Sequence, residues 1–288
     1  MSAPSTPPAV NVDKAVGFQL QPLRVAYNAR DLMLYALSIG VKQDELHFLY
    51  ESEPGFAAFP TYPVVLGLKR DNVGVSVYGA DSEPIPGIPD FDPNRLGKGM
   101  VIERTTLMVD PREPNRPYCS MKAGVFVRGY GGFGGPKGPK AASNEPPKDR
   151  LATPDAVVED QTSDELAILY RLSGDYNPLH IDPKIAPRVG FKKPILHGLC
   201  TYGHAAHAVL KALGRSDPRA LRSITGRFTS PVYPGDTLVT RMWKVPGENK
   251  DQTKVVFQTL AKERDQIVIN GGCVELWNED ALARQSKL

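Results

Sequence analysis

The feature that most constrains this chain is the stretch from Tyr170 to Cys200, which reads YRLSGDYNPLHIDP at its start and GFKKPILHGLC at its end. Asp175 precedes His180 by five residues, and Asn177-Pro178 lies between them. Proline disfavours the α conformation in the residue before it, so this segment is predicted to form a tight loop. Such a loop would bring a carboxylic acid and an imidazole together, which favours general acid–base chemistry.

The second part of this stretch is His197-Gly198, which opens a run of small and apolar residues. We predict a helix from about His197 to Leu213 that stops at Gly214. The first N–H groups of a helix have no partner inside it, and Gly198 has no side chain to keep a ligand away. A helix end of this kind can stabilise the negative charge that develops on a carbonyl oxygen.

Simpler explanations exist for the same residues. Asp175 could cap a turn and His180 could be a core histidine, since a bare match at this spacing is a weak signal. His197, His204 and His207 suggest zinc, but no carboxylate or cysteine follows at a matching spacing, so no metal site is expected. The chain contains no G-x-S-x-G, which disfavours a serine hydrolase.

The longer context favours catalysis. D-Y-N-P-L-H-I-D-P followed by F-K-K-P-I-L-H-G-L resembles the hydration motif of the MaoC-like, R-specific 2-enoyl-CoA hydratases, and most closely the hydratase 2 unit found in peroxisomal multifunctional enzymes of type 2. The similarity resumes at Arg227-Phe228 with P-V-Y-P-G-D-T-L. It implies a hydro-lyase that converts trans-2-enoyl-CoA reversibly into (3R)-3-hydroxyacyl-CoA. Coenzyme A would be part of the substrate, and no further cofactor is implied.

The resemblance also implies roles for single residues. The thioester carbonyl would face the Gly198 N–H, while Asp175 and His180 would hold one water; which of the two is the base stays open, because a close pair titrates as a unit. Asn177 would orient the pair or the water. The further substrate contacts that the family implies are Tyr176, Pro178, Leu179, Arg227, Phe228 and Gly97. Apart from the resemblance, Lys192, Lys193 and Arg227 are candidates for the coenzyme A phosphates, and solvated surface charge is the alternative interpretation.

The first half of the chain resembles a degenerate copy of the second. YALSIG at 35–40 parallels YRLSGD at 170–175, and PVVLGL at 63–68 parallels PILHGL at 194–199. In the first copy Gly40 replaces the acid and Leu66 replaces the histidine. The family resemblance implies an α+β double hot-dog fold, in which two curved antiparallel sheets each wrap around a central helix. The inactive half would form the pocket for the acyl tail.

Strand patterns differ between the halves. The first half offers only GMVIERTTLMV and SMKAGVFVRGY, separated by the turn-rich DPREPNRPYC, so it is predicted to lack about two strands and to have a shortened or open tail pocket. In the second half, Thr162-x-x-Glu165 predicts a helix opened by a capping box. The β-branched runs after Gly214 predict an antiparallel meander around the central helix.

These patterns divide the chain into five predicted segments. They are a disordered Pro-rich lead (1–16), a degenerate hot-dog half (17–130), a Gly/Pro-rich linker (131–150), a catalytic hot-dog half (151–280) and a tail (281–288). The linker contains GGFGGPKGPK, which lacks the strand-to-helix context of a phosphate-binding loop and is interpreted as a hinge.

Composition and the chain end bear on partners and location. A net charge of +3 is too small to indicate a nucleic acid partner, and no apolar run reaches membrane-spanning length. Three widely spaced cysteines suit a reducing compartment. Ser286-Lys287-Leu288 is the tripeptide that the peroxisomal import receptor reads, which predicts the peroxisome matrix. The family resemblance also implies that the protein is a homodimer.

Alternative functions remain open. The same acid–base pair run in reverse would give a 3-hydroxyacyl-CoA dehydratase of a specialised peroxisomal pathway, which the shortened first half favours. A non-catalytic acyl-CoA-binding scaffold would bind without turnover. A hot-dog thioesterase would release free coenzyme A.

Overall fold

The computed structural model describes residues 9–75, 78, 84–89, 98–135 and 144–285. Its helices are α1 (Val12–Ala15), α2 (Ala29–Ser38), α3 (Pro63–Lys69), α4 (Leu166–Tyr170), α5 (Gly198–Gly214) and α6 (Glu279–Gln285). Its strands are β1 (Met100–Asp110), β2 (Glu113–Val127), β3 (Ala156–Gln161), β4 (Leu221–Phe228), β5 (Thr237–Val245), β6 (Gln252–Ala261) and β7 (Gln266–Trp277). Among the described residues, no helix combines the length and the apolar character that crossing a bilayer would require.

Five strands of the second half form one antiparallel sheet in the order β3-β5-β6-β7-β4. The predicted meander corresponds to β4 to β7, whose β-branched and aromatic residues suit a half-buried pleated surface. The fifth strand, β3, was missed by the sequence analysis. It is short and alternates between half-buried and exposed residues at the edge of the sheet, where it pairs only with β5.

The sheet encloses α5. This helix contacts β3, β4, β5 and β7, and its residues are buried almost without interruption from Cys200 to Leu210. A helix that is buried nearly all round has to be enclosed by other elements, and small residues on its surface let them approach closely. The predicted helix is therefore confirmed to within one residue at each end, and so is the hot-dog fold of this half.

Helices α2 and α3 of the first half belong to the same compact unit as β3 to α6. Helix α2 packs on α4, where the rings of Tyr35 and Tyr170 lie 6.1 Å apart and are fully buried. These tyrosines begin the two matching segments YALSIG and YRLSGD, so the repeated positions meet in the core. A side chain at Gly203 of α5 would collide with Ile39 directly after α2, which shows how closely these helices pack.

The other compact unit contains α1 and the hairpin β1–β2. The strands are paired from Met100 opposite Val127 to Asp110 opposite Glu113, with irregular pairing near Val109. The segment DPREPNRPYC is therefore largely strand, and the prediction of a long turn there was wrong. Proline is tolerated in a strand that has an unpaired edge. No third strand of the first half occurs among the described residues, and the predicted shortening and segment boundaries both stay predictions.

The predicted capping box before α4 does not form. Thr162 is buried, its hydroxyl donates to the main-chain oxygen of Asp236 at 2.8 Å, and it accepts from the Gly235 N–H at 3.1 Å. Glu165 occupies the N-cap position of α4 without a side-chain hydrogen bond. The prediction was wrong because a contact with a distant loop satisfies the hydroxyl that the helix end would have used.

Candidate active site

The loop that carries Asp175 crosses the end of α3. Gly174 precedes Asp175 with φ +127°, a conformation that glycine adopts without steric cost. A Cβ at Gly174 would lie 2.7 Å from the Cβ and 2.8 Å from the Cα and main-chain N of Lys69. The degenerate first half thus supports the loop of the second half directly, through main-chain packing.

Lys69 is itself held in place. Its ammonium group is buried, donates to the main-chain oxygens of Ala26 at 2.7 Å and Asn72 at 2.9 Å, and lies 3.3 Å from the Asp31 carboxylate. A buried ammonium requires such partners, because its desolvation would otherwise be costly. The end of α3 is therefore a fixed surface for the loop.

Asn177 connects the acid to the imidazole. Its main-chain N–H donates to Oδ1 of Asp175 at 3.2 Å, and its side-chain oxygen accepts from the Leu179 N–H at 3.0 Å. The second bond caps the 3₁₀ turn Pro178–His180, which begins with proline. Asn177 therefore fixes the main chain between the two side chains, and its orienting role in the reaction stays a prediction.

His180 is buried at the end of this turn, and its Nδ1 lies 2.8 Å from the main-chain oxygen of Ile195. A carbonyl oxygen can only accept, so Nδ1 carries the hydrogen and Nε2 of the neutral ring keeps its lone pair. Burial lowers the pKa of His180, against the opposing influence of the Ile195 hydrogen bond and of Asp175. The ring is therefore a neutral base at pH 7.

His197 is the third member of the cluster. One ligand-type atom each of Asp175, His180 and His197 lies within 4.8 Å of the other two. The His197 ring stacks on the His180 ring at 3.7 Å between centroids, and its Nε2 donates to the main-chain oxygen of Asp175 at 3.1 Å. Burial, with a contribution from His180, lowers the pKa of His197 to about 3, so this ring is also neutral.

The contact of His197 with the acid–base loop was not predicted from the sequence. The sequence indicated this residue as the start of the helix and as a candidate zinc ligand with His204 and His207. Its place directly before Gly198, within the same motif, was the only signal of a second role. The contact with Asp175 joins positions 22 residues apart, which no local pattern encodes.

The three side chains are close enough to suggest a metal site, but their orientation does not fit one. The two imidazole rings are inclined by only 27° in a stacked pair. Imidazole lone pairs lie in the ring plane, so nitrogens of nearly parallel stacked rings cannot both point at one ion at about 2.0–2.1 Å. His204 and His207 bind elsewhere, to Asp160 at 2.8 Å and to Glu45 at 2.7 Å.

The N-terminus of α5 lies beside this cluster, because His197 is its N-cap residue. Gly198 is exposed, and its N–H has no acceptor among the described residues. The ring of Phe228 lies 3.5 Å from the place that a Cβ of Gly198 would take, and Phe228 is 48% exposed. A free N–H donor and an accessible aromatic ring therefore meet at the edge of the acid–base pair.

The remaining predicted substrate residues are distributed around this centre. Tyr176 is buried under the Arg171 guanidinium, 5.1 Å from its ring centroid, while Pro178 and Leu179 are half-buried in the 3₁₀ turn. Arg227 is exposed next to Phe228 on β4. Gly97 and the predicted targeting tripeptide Ser286, Lys287 and Leu288 lie outside the described residues.

A sheet wrapped around a helix, with an acid–imidazole loop at the N-terminus of that helix, defines a hot-dog protein of the MaoC-like class. Residues 148–265 match the family model of the MaoC-like domain, and residues 25–99 match that of the MFE-2 hydratase 2 N-terminal domain. The chain is similar to a crystal structure of a MaoC-like dehydratase from Phytophthora capsici, with a TM-score of 0.78, 36% identity, and coverage of 94% of this chain and 99% of that one.

Full-length relatives agree with the family models. The chain is 35% identical to "Probable enoyl-CoA hydratase 2" of Dictyostelium discoideum, over 91% of this chain and 95% of the relative. It is 33% identical to "Enoyl-CoA hydratase 2, peroxisomal" of Arabidopsis thaliana, over 91% of this chain and 94% of the relative. The chain therefore belongs to the MaoC-like hydratase 2 family, which confirms the resemblance seen in the sequence.

Proposed function

We propose that this protein is a hydro-lyase that adds water reversibly to trans-2-enoyl-CoA and forms (3R)-3-hydroxyacyl-CoA. The observation that carries the proposal is the neutral His180, whose Nε2 lone pair is free beside the Asp175 carboxyl group and the N-terminus of α5. An acid, a base and an unpaired N–H donor are the groups that hydration of a conjugated thioester needs. Membership of a family whose relatives are called enoyl-CoA hydratase 2 supports the same reaction.

The reaction follows from these groups. Water lies between Asp175 and His180, and Nε2 of His180 accepts one of its protons as the oxygen attacks C3. The electrons of the double bond move onto the thioester carbonyl, whose developing negative charge is stabilised by the Gly198 N–H. A proton returns from the pair to C2 on the same face, so the pair regains its starting protonation state. Asn177 keeps both members of the pair in place.

We further propose how the substrate is held. Phe228 would line the pocket at the reacting thioester, together with Tyr176, Pro178 and Leu179 of the loop. Lys192, Lys193 and Arg227 are exposed cations that could bind the coenzyme A phosphates. The reaction requires no cofactor beyond the coenzyme A of the substrate itself.

The location and the assembly are also proposals. The tripeptide Ser286-Lys287-Leu288 would direct the protein to the peroxisome matrix through the import receptor. The Arabidopsis relative is named as peroxisomal, which supports this location. We propose a homodimer by analogy with the family.

The first experiment is hydration of crotonyl-CoA and trans-2-decenoyl-CoA, followed by the loss of enoyl-thioester absorbance, with chiral analysis of the product. We expect Asp175→Asn and His180→Ala each to lower kcat by about 10²-fold or more, because each removes a group that transfers or orients a proton. Asp149→Asn, at an exposed position, is the matched control and should keep full activity. A (3S) product, or activity that survives both changes, contradicts the proposal.

The same assay separates the alternative functions. The shortened first half that the sequence predicts would favour a specialised acyl group, so (3R)-3-hydroxyacyl-CoA dehydration is measured in parallel. A rate with decenoyl-CoA far below that with crotonyl-CoA would indicate a shortened tail pocket. Binding without turnover indicates the scaffold, and release of free coenzyme A indicates a thioesterase.

A further inference from the structure

His197 contacts the main chain of Asp175, the ring of His180 and the first turn of α5. Its Nε2 donates to the main-chain oxygen of Asp175, and its ring stacks on His180. Its main-chain oxygen accepts from the N–H groups of Cys200 at 3.1 Å and Thr201 at 3.2 Å in the first turn of α5, and the N–H of the next residue, Gly198, has no acceptor among the described residues. The buried side chain, 1% exposed, thus links the main chain of Asp175 to the ring of His180, while the main chain of the same residue begins the helix that presents the Gly198 N–H.

The surroundings of His197 satisfy only one of its two ring nitrogens. Nδ1 is buried and has no hydrogen-bond partner among the described residues, which is unfavourable for stability. The ring of Tyr170 lies 5.0 Å away, so the imidazole is held between this tyrosine and His180. A residue that keeps an unsatisfied polar atom at the centre of a site is a candidate for function.

Several smaller, non-aromatic or non-polar replacements would supply only part of what His197 does. Phenylalanine would stack on His180 but could not donate to Asp175. Glutamine could donate but would leave the ring of His180 uncovered, and lysine or arginine would add a charge beside it. A neutral imidazole does both, and its π face can also lie against the positive charge that His180 gains during the reaction.

We infer that His197 is the positioning residue of this site, which fixes the separation of Asp175 and His180 by holding the main chain of one and the ring of the other. The expected effect of His197 on kcat rests on the proposed function, whereas its contacts with Asp175 and His180 do not. The charged and titratable groups that influence His197 are His180, Asp175 and Arg171, and Tyr170 lies against its ring. His197 thus acts on the acid–base pair and does not act on the substrate.

The test uses two variants that divide the functions of His197. His197→Gln keeps a donor for Asp175 but loses the stacked ring, and His197→Phe keeps the ring but loses the donor. We expect each to lower kcat for crotonyl-CoA by about tenfold to a hundredfold, because displacements of about 1 Å have effects of this size. KM should change by less than about threefold, since the thioester contacts are untouched.

A second measurement does not depend on turnover. The titration of His180 is followed by NMR of protein labelled with ¹³C-histidine, with the His180→Gln variant used to assign its signal. In His197→Gln, water gains access to the exposed face of the ring, so the pKa of His180 should rise towards its ordinary value. In His197→Phe the face stays covered, and the pKa of His180 should stay close to that of the wild type.

The control is His47→Gln, which changes a histidine bound to the Ser216 carbonyl, away from the acid–base pair, and should leave kcat and the titration unchanged. Wild-type kcat in either His197 variant, or an unchanged titration of His180 in His197→Gln, overturns the inference. If the wild type turns over neither enoyl-CoA, the proposed function fails. The titration in His197→Gln then still decides the positioning role.

Discussion

At the residue scale, the tautomer of His180 is decided by one main-chain carbonyl. The oxygen of Ile195 accepts from Nδ1, so the lone pair of the neutral ring has to be on Nε2. Burial keeps the ring uncharged at neutral pH by lowering its pKa. The Asp175 carboxyl group therefore lies near a neutral His180 ring of fixed orientation. General acid–base catalysis uses such an arrangement.

The neutral state of His180 predicts how kcat/KM depends on pH on the acidic side. Protonated His180 cannot accept a proton from water, so activity should be present above its pKa and should be lost as the pH falls through it. Because burial lowers this pKa, we expect the acidic limb of kcat/KM for crotonyl-CoA below the ordinary histidine value of about 6.5. The measurement is a profile from about pH 4 to 9. A limb centred above about 6.5 would show that His180 is not the base, or that it is not buried in solution.

At the element scale, the catalytic loop depends on a helix from the other half of the chain. Helix α3 is only seven residues long, and it ends at Lys69 against the loop at Gly174. In the second half, the matching segment PILHGL leads into α5, which has 17 residues. The first copy has therefore lost the long central helix and the acid–base pair, but its remaining helix supports the loop of the active copy.

Gly174→Ala should break this support. The substitution places a Cβ against the main chain of Lys69 and forces alanine to adopt a positive φ, so we expect about 2–4 kcal/mol of destabilisation and a clear fall in kcat. Gly190→Ala is the matched control, since Gly190 also has a positive φ but no atom within 4 Å of the place that a Cβ would take. It should cost only about 1 kcal/mol and leave kcat intact. Equal effects of the two changes would argue against close packing at Gly174.

At the scale of the whole molecule, a buried polar junction joins the first-half segment that follows α2 to the central helix of the second half. Glu45, 3% exposed, accepts from His207 at 2.7 Å, Lys211 at 3.1 Å and Ser216 at 2.6 Å. In the sequence repeat, Glu45 falls near the place that His180 has in the active copy. Near the sequence position of the missing histidine, the first copy therefore has a residue that attaches the two halves to each other.

The first copy also lacks the acid, because Gly40 stands at the position that Asp175 has in the second copy. Gly40, which stands in the place of Asp175, has φ +91°, and a side chain there would collide with Asp160 and lie 2.9 Å from the ring of His204. Asp160 and His204 are hydrogen-bonded to each other at 2.8 Å. The degenerate copy therefore has no room for an acid at this position.

Glu45→Gln should weaken the junction. The hydrogen bonds lower the pKa of Glu45 from 4.5 to about 2, in spite of the opposing effect of burial. A depressed pKa contributes stability that is present above the unfolded value and is lost as the pH falls from about 4.5 towards about 2. At pH 7 we expect a loss of about 1.5–3 kcal/mol, measured by denaturant unfolding. The difference between wild type and variant should shrink on acidification.

The control for this prediction is Asp44→Asn. Asp44 binds the same lysine at 2.8 Å, but its side chain is 61% exposed. Exposed ion pairs contribute little, so the unfolding midpoint should stay within error of the wild type. If Asp44→Asn destabilises the protein as much as Glu45→Gln, burial is not what makes the junction stabilising.

Much of the fold and part of the candidate site could be predicted from the sequence alone. The Asn177-Pro178 loop, the start of α5 at Gly198 and the strands β4 to β7 follow from signals that act over a few residues. These signals are proline sterics, small-residue content and alternation, and each fixes local conformation wherever the segment is placed. The repeat also predicts that Tyr35 and Tyr170 are equivalent positions, and their rings lie 6.1 Å apart in the core.

The rest was decided only by tertiary structure. The tautomer of His180 depends on Ile195, the role of His197 on the carbonyl of Asp175, and the need for Gly174 on Lys69, which is 105 residues earlier in the chain. The failed capping box at Thr162 has the same origin, because its hydroxyl is bound by a distant loop. A sequence specifies which groups are present and how each segment folds locally. Their protonation, orientation and partners depend on burial and on contacts between distant segments, which exist only once the chain has folded.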